Sequence, residues 1–170
     1  SFDRDRLGLI SKYITNKFFE TGLTDITQIW GLEWGLILDG LYAGTADCIG
    51  IYKDKPAIID FKTARKIKKK EWIEDYFLQC CAYANAHNVM FGTNIKDLII
   101  LMVDRDLMFK EFHITENEFP SYTDKWKRRL IKYHNNYWFK TISAHFTPIT
   151  LQMALVFPEI IFGSIEASAT

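Results

Sequence analysis

The chain carries Gly44-Thr45-Ala46-Asp47 and, thirteen residues beyond Asp47, the run Ile58-Ile59-Asp60-Phe61-Lys62-Thr63. On a strand, Asp60 and Lys62 leave the same face, while Ile59 and Phe61 point the other way, toward a core. A charged pair on an otherwise apolar strand needs a reason, because unpaired buried charge is expensive. If Lys53-Asp54 forms a two-residue turn, Tyr52 opposes Lys55 and Asp47 falls directly across from Asp60. Two facing carboxylates repel unless a cation lies between them. Mg²⁺ suits the pair, since it takes oxygen ligands and one or two carboxylates, with the Phe61 carbonyl as a further oxygen. Lys62 would then stand where a metal-bound water meets a phosphate. A plainer reading is a cross-strand salt bridge in which Lys62 neutralises two surface acids.

Working outward, Leu7, Ile10, Ile14 and Phe18 recur at helical spacing and predict a helix over 4–21, stopped by Gly22. From Gln28 the period changes to two. Trp30, Leu32, Trp34, Leu36 and Leu38 should share an apolar face, with Gly31, Glu33 and Gly35 on the other. Asp39-Gly40 predicts a hairpin into a strand from Tyr42 to Tyr52, and Pro56 opens a third strand over 57–62. A basic loop, Arg65 to Lys70, leads to a helix over 71–90. Strands over 97–103 and 107–114 flank an Asp104-Arg105-Asp106 turn, and a long helix covers 116–140. The order α-β-β-β-α-β and onward predicts an α+β sandwich, a mixed sheet flanked by helices.

Length and composition bound the rest. A chain of 170 residues with 48% hydrophobic and 25% charged residues suits one ordinary globular domain. We expect that domain over residues 1–140. An apolar tail over 141–170 would be docked on it or lent to a partner. Net charge is zero, so polyanion binding would have to come from local clusters. Cys48, Cys80 and Cys81 form neither a disulfide framework nor a CxxC metal site, and suit reduced thiols in an intracellular protein. No run approaches the roughly 18 apolar residues of a membrane span, and no signal peptide is visible. A start at Ser1 suggests a trimmed chain or one piece of a longer protein.

Four elements in order resemble a known family. Glu33, Gly44-Thr-Ala-Asp47, Asp60-Phe-Lys62 and Gln79-Cys-Cys-Ala-Tyr83 are similar to the Glu, GxxD, (D/E)xK and QxxxY pattern of the RecB-like branch of the PD-(D/E)XK nucleases, and the Asp-Phe-Lys-Thr run looks especially like its mitochondrial and phage exonuclease members. The likeness covers about residues 28–115. It implies a restriction-endonuclease-like core and a metal-dependent exonuclease acting on DNA ends or single strands. It further implies that Asp47 and Asp60 bind Mg²⁺ or Mn²⁺ and that Lys62 assists a water attacking a phosphodiester. Two departures stand out: the first helix has no His, and Ala46 replaces the proline of the PD signature. The cysteines of iron–sulfur relatives are missing, so no cluster is expected.

Around this centre, Glu33 pairs with Ala46 if Asp39-Gly40 is a strict two-residue turn; a three-residue loop brings it opposite Asp47, where it could join the metal shell. Gln79 and Tyr83 are neighbours on one helix face, with Trp72 and Tyr76 on the same stripe. Their plain reading is packing; in context Gln79 orders the site or a phosphate and Tyr83 supports it. Thr63, Arg65, Lys66, Lys68, Lys69 and Lys70 follow the catalytic strand closely enough to meet DNA phosphates. Tyr122, Trp126, Tyr133 and Tyr137, interleaved with basic residues, read first as core and second as a base-stacking stripe. The rivals are an endonuclease on the same core and a non-catalytic DNA-binding or assembly module. A homo-oligomer, a fusion or a partner protein would suit end capture. The expected location is intracellular, cytoplasmic or mitochondrial.

Overall fold

The period-two segments resolve into β1 (Ile26–Leu38), β2 (Tyr42–Tyr52), β3 (Lys55–Ala64), β4 (Asp97–Asp104) and β5 (Phe109–Ile114). The helices are α1 (Phe2–Glu20), α2 (Glu74–Phe91) and α3 (Phe119–His145). This computed structural model describes the backbone of residues 2–145 and the side chains of residues 8–136. The expected apolar tail, 141–170, lies from residue 146 onward outside the described residues. Two compact units divide the chain, Ser1–Lys127 and Arg128–Thr170. The whole sheet belongs to the first.

The strands lie in the order β1-β2-β3-β4-β5. Only β3 and β4 run parallel, and the other neighbours are antiparallel. A parallel pair needs a long crossover, and α2 provides it. The protein is therefore α+β with a mixed sheet and flanking helices, as the element order predicts.

β4 is buried along its whole length, which fits its nearly unbroken apolar run at the middle of a covered sheet. On one sheet face, Leu36, Ile49, Ile58, Leu98, Ile100 and Met102 pack with Phe77, Cys80 and Ala84 of α2. Tyr122 of α3 joins them, edge-on to Phe77 at 5.7 Å between ring centroids. The other face carries Cys48, Ala57, Ile59, Ile99 and Leu101. There Phe18 of α1 stands edge-on to Phe61 at 5.7 Å.

Three local expectations change. The long β1 does not keep one apolar face. Its alternation breaks at Glu33, which has φ +46°, and at irregularities between Ile26 and Gln28 and between Ile29 and Gly31. Trp34 and Leu36 therefore pack toward α2, whereas Leu32, paired with Cys48, is exposed. The residues before α2 form a 3₁₀ turn, Lys70–Ile73, so the α-helix starts at Glu74. Leu107 has φ +60° and belongs to the turn, so β5 begins at Phe109. In the aromatic stripe of α3, Tyr122 and Trp126 are half-buried and Tyr133 is exposed; the side chain of Tyr137 lies outside the described residues.

Candidate active site

The site sits in a fork of the sheet. β2 pairs with β3 from Tyr52↔Lys55 to Cys48↔Ile59 and no further. β3 continues beside β4 to Ala64↔Asp104, while β2 continues beside β1 to Tyr42↔Leu38. This is the register of a two-residue Lys53-Asp54 turn, so Asp47 and Asp60 face one another at the point where the strands part. The Phe61 N–H, which the ladder leaves free there, donates to Asp47 Oδ2 at 3.1 Å.

Asp60 is 2% exposed. Lys62 Nζ lies 2.8 Å from both of its oxygens but has hydrogen-bond geometry to Oδ1 alone. Oδ2 is left buried without a hydrogen-bond partner. An orphaned carboxylate oxygen costs folding free energy. The ionisation balance shows the same tension. Burial raises Asp60, the hydrogen bond and charge of Lys62 pull it down, and the Asp47 charge raises it again, leaving it at about 6. For Lys62, burial lowers the ammonium, but the hydrogen bond and charge of Asp60, with Asp47, outweigh it and leave it raised. The residues thus fit a divalent cation: two facing carboxylates, one of them half-buried and one buried with an oxygen unsatisfied. Among the described residues no group of three His, Cys, Asp or Glu side chains is arranged to hold a metal.

Glu33 stands opposite Asp47 in the register, because the β1–β2 loop has three residues, with Leu38 paired to Tyr42. Its left-handed backbone and exposed side chain keep it apart from a preformed acid cluster. Gln79 Nε2 donates to Tyr83 OH at 2.7 Å. The Tyr83 ring in turn lies against Gly44, where a Cβ would come within 2.6 Å of Tyr83 Cε1. Glycine in the Gly44-Thr-Ala-Asp47 motif is thereby explained by close approach, a role that spacing alone did not disclose.

The curated sequences that this chain matches carry one name. Over 138 residues it is 30% identical to human mitochondrial genome maintenance exonuclease 1, an alignment covering 77% of this chain and 39% of that protein. The mouse protein of the same name is 30% identical over 118 residues, 65% of this chain and 34% of its own length. The chain is a distant homologue of these exonucleases. It spans about two fifths of the human protein's length. No protein-family model matches it. A solved structure from Eubacterium rectale, whose protein is provisionally named an exonuclease, shares the fold at a TM-score of 0.54, with 12% identity over 75% of this chain and 53% of the other. Homology, fold and the Asp47, Asp60 and Lys62 arrangement are consistent with a PD-(D/E)XK-like nuclease.

In this exonuclease homologue the basic run is not uniform. Thr63, Arg65, Lys66 and Lys69 are exposed. Lys68 Nζ donates to Tyr76 OH at 3.1 Å. Lys70 Nζ instead braces the fold, donating to the His113 carbonyl at 3.3 Å and to Glu118 Oε1 at 3.0 Å. The roles of two residues near the site are not visible from spacing: Tyr76, placed by sequence on the Gln79 stripe, and Asp104, placed in a turn. The Tyr76 ring takes the ammonium of Lys62 at 5.2 Å and that of Lys68 at 5.1 Å. Buried Asp104 accepts the Ile67 N–H at 3.1 Å and, through its other oxygen, those of Asp106 and Met108. It therefore anchors the basic loop and the β4–β5 turn together. An Asp ending a strand is a turn signal, but only the fold brings Ile67 to it. Among the described residues no helix is long and apolar enough to cross a membrane.

Proposed function

We propose that this protein is a metal-dependent DNA exonuclease, acting on ends or single strands in replication, repair or recombination. The observation carrying this reading is the buried Asp60 oxygen without a hydrogen-bond partner, set opposite Asp47 and beside Lys62. Asp47, Asp60 and the Phe61 carbonyl would hold Mg²⁺ or Mn²⁺, with Glu33 reaching in from β1. Bound there, the cation stabilises charge on the phosphoryl oxygens and acidifies a water molecule.

The chain's own residues do the rest. Lys62, held between Asp60 and the Tyr76 ring, orients the attacking water and adds positive charge as charge grows on the phosphate. Asp60 holds Lys62 in place. The water oxygen loses a proton as it forms a bond to phosphorus, the bond to the departing deoxyribose oxygen breaks, and that oxygen takes up a proton. Gln79, oriented by Tyr83, contacts the phosphate or fixes the site's edge. Thr63, Arg65, Lys66, Lys68 and Lys69 track the backbone, which makes binding fall steeply with salt. The homologues' name includes mitochondria; for this chain we propose an intracellular location, mitochondrial or cytoplasmic.

The test is degradation of end-labelled linear and closed-circular DNA with Mg²⁺, Mn²⁺ or EDTA. Metal-dependent loss of the linear form alone supports the proposal, and the label position gives the polarity. Cutting of the circle would make it an endonuclease. Binding without cleavage would make it a DNA-binding module.

A further inference from the structure

Trp72 should be a packing residue by helical spacing, yet it is 70% exposed, more than any other large apolar side chain among the described residues. It sits in the Lys70–Ile73 turn that precedes α2, where its N–H donates to the Lys69 carbonyl at 3.0 Å. Lys69 Nζ lies 5.5 Å from the centre of its indole. Leaving an indole in water forgoes a large burial gain, so its exposure calls for a ligand with a flat apolar face and a nearby negative charge.

Its position supplies the ligand's identity. Tyr76 touches both Lys62 of the site and Lys68 of the basic loop. Trp72 lies four residues before Tyr76, and Lys69 is the next residue after Lys68. At the rise of a helical or 3₁₀ turn, Trp72 is about 6–8 Å along the axis from Tyr76. A strand whose scissile phosphate lies at Lys62 and whose next phosphates meet Lys68 and Lys69 therefore brings a base to Trp72.

We infer that Trp72 and Lys69 form a base-stacking subsite for single-stranded DNA, on the basic-loop side of Lys62 and Tyr76. The indole stacks on an unpaired base and Lys69 meets the adjoining phosphate. A base inside a duplex is stacked on both faces, whereas every base of a flexible single strand can turn a face to the indole, so the subsite favours single strands and unwound ends over duplex. The inference rests on the nuclease reading above and adds to it the residues that contact an unpaired base.

The experiment measures binding of an oligonucleotide in EDTA, by fluorescence anisotropy, with one abasic nucleotide walked along the strand. Wild-type protein should lose about 5- to 100-fold in affinity at a single abasic position. Trp72→Ala should show that loss on the intact strand and then ignore the abasic walk. Trp72→Phe should retain most of the affinity, and blunt-duplex binding should not change with any of these variants. Because Trp72 is exposed, the melting temperature should also stay fixed. A flat abasic profile in wild type, or an equal loss by Trp72→Ala on both strand forms, overturns the subsite. Wild type that cleaves linear DNA while Trp72→Ala matches it on every substrate overturns the subsite alone. Wild type that neither binds nor cleaves DNA overturns the nuclease reading and this inference together.

Discussion

Two clusters at opposite ends of the β2–β3 pair hold the same charges, two carboxylates and one lysine, and use them differently. At the turn end, Glu111 Oε2 accepts from Tyr52 OH at 2.8 Å and from Lys53 Nζ at 2.7 Å, and Asp25 lies 3.4 Å from the same ammonium. Each acid there has a partner, and Lys53 is half-exposed. At the fork end each acid also has a partner, the Phe61 N–H for Asp47 and Lys62 for Asp60, but Asp60 is buried, one of its oxygens accepts no hydrogen bond, and Asp47 adds like charge. The first arrangement ties the residue that precedes β1, the end of β2 with its turn, and β5 together. The second is unfavourable as it stands, and a fold keeps such an arrangement where it serves function. The salt-bridge reading is met in part at the fork, where Lys62 pairs with Asp60, but the acid it neutralises is buried rather than on the surface.

The largest effect should separate the clusters by turnover. Asp60→Ala is expected to lower metal-dependent degradation of linear DNA by on the order of 10³-fold or more, whereas Glu111→Gln should leave it within about twofold. Initial rates at saturating metal check this; equal losses from both would dissolve the contrast. Next come the lysines. Lys62→Ala should cost on the order of 10²- to 10³-fold in rate with little change in DNA affinity. Lys53→Ala should affect neither. A rise in KM without a fall in kcat for Lys62→Ala would make Lys62 a phosphate anchor instead.

The fork half of this contrast was legible in the sequence, for identifiable reasons, whereas the turn-end cluster was not, because Asp25 and Glu111 lie far from Lys53 in the chain. The parity of Asp60 and Lys62 and the Lys53-Asp54 turn sufficed to place Asp47 across from Asp60, because turn length fixes antiparallel register. Glu33 was harder. Its position depends on whether Leu41 belongs to the loop, and its left-handed backbone leaves no mark in a two-residue period. Trp72 and Tyr76 fit one helical stripe, but a 3₁₀ turn rotates the first away from the second, and propensity does not distinguish the two helix types. The roles of Gly44 and Asp104 were hidden because each depends on a partner distant in sequence, Tyr83 and Ile67.

Stability provides the third separation, with opposite signs. The folded-state value of Asp60, about 6, lies above its ordinary 3.8, so the folded chain holds that proton more tightly than the unfolded chain. Stability from this group is therefore complete below about pH 4 and is lost as pH rises through about 6. In EDTA at pH 8, Asp60→Asn should raise stability by on the order of 1–2 kcal/mol, because the amide removes a desolvated charge and still accepts from Lys62. The gain should vanish near pH 4. Glu111→Gln should instead lower stability at pH 8 by about 1–2 kcal/mol, through weakened charged hydrogen bonds. Denaturant melts at both pH values check the signs. Destabilisation by Asp60→Asn at pH 8 would mean that the fork is as well satisfied as the turn.

The smallest effect on rate should come from a change that touches no charge. Gly44 and Gly35 lie in adjacent strands near the fork, and both could carry a methyl group by backbone conformation. At Gly35 an added Cβ would meet nothing within 4 Å, whereas at Gly44 it would lie 2.6 Å from a ring carbon of Tyr83. Tyr83 cannot move alone, because Gln79 is bonded to its hydroxyl and the ring is 9% exposed among α2 neighbours. Gly44→Ala must therefore shift the Gln79 amide by about the missing ångström, and displacements of that size at a site cost up to roughly 10²-fold. Because Gln79 is exposed and can partly readjust, we expect about 10-fold in kcat. Gly35→Ala should leave the rate unchanged. Pairing Gly44→Ala with Tyr83→Ala tests the route: if relieving the clash does not reduce the effect of the alanine, the glycine serves the fork by some means other than room for Tyr83.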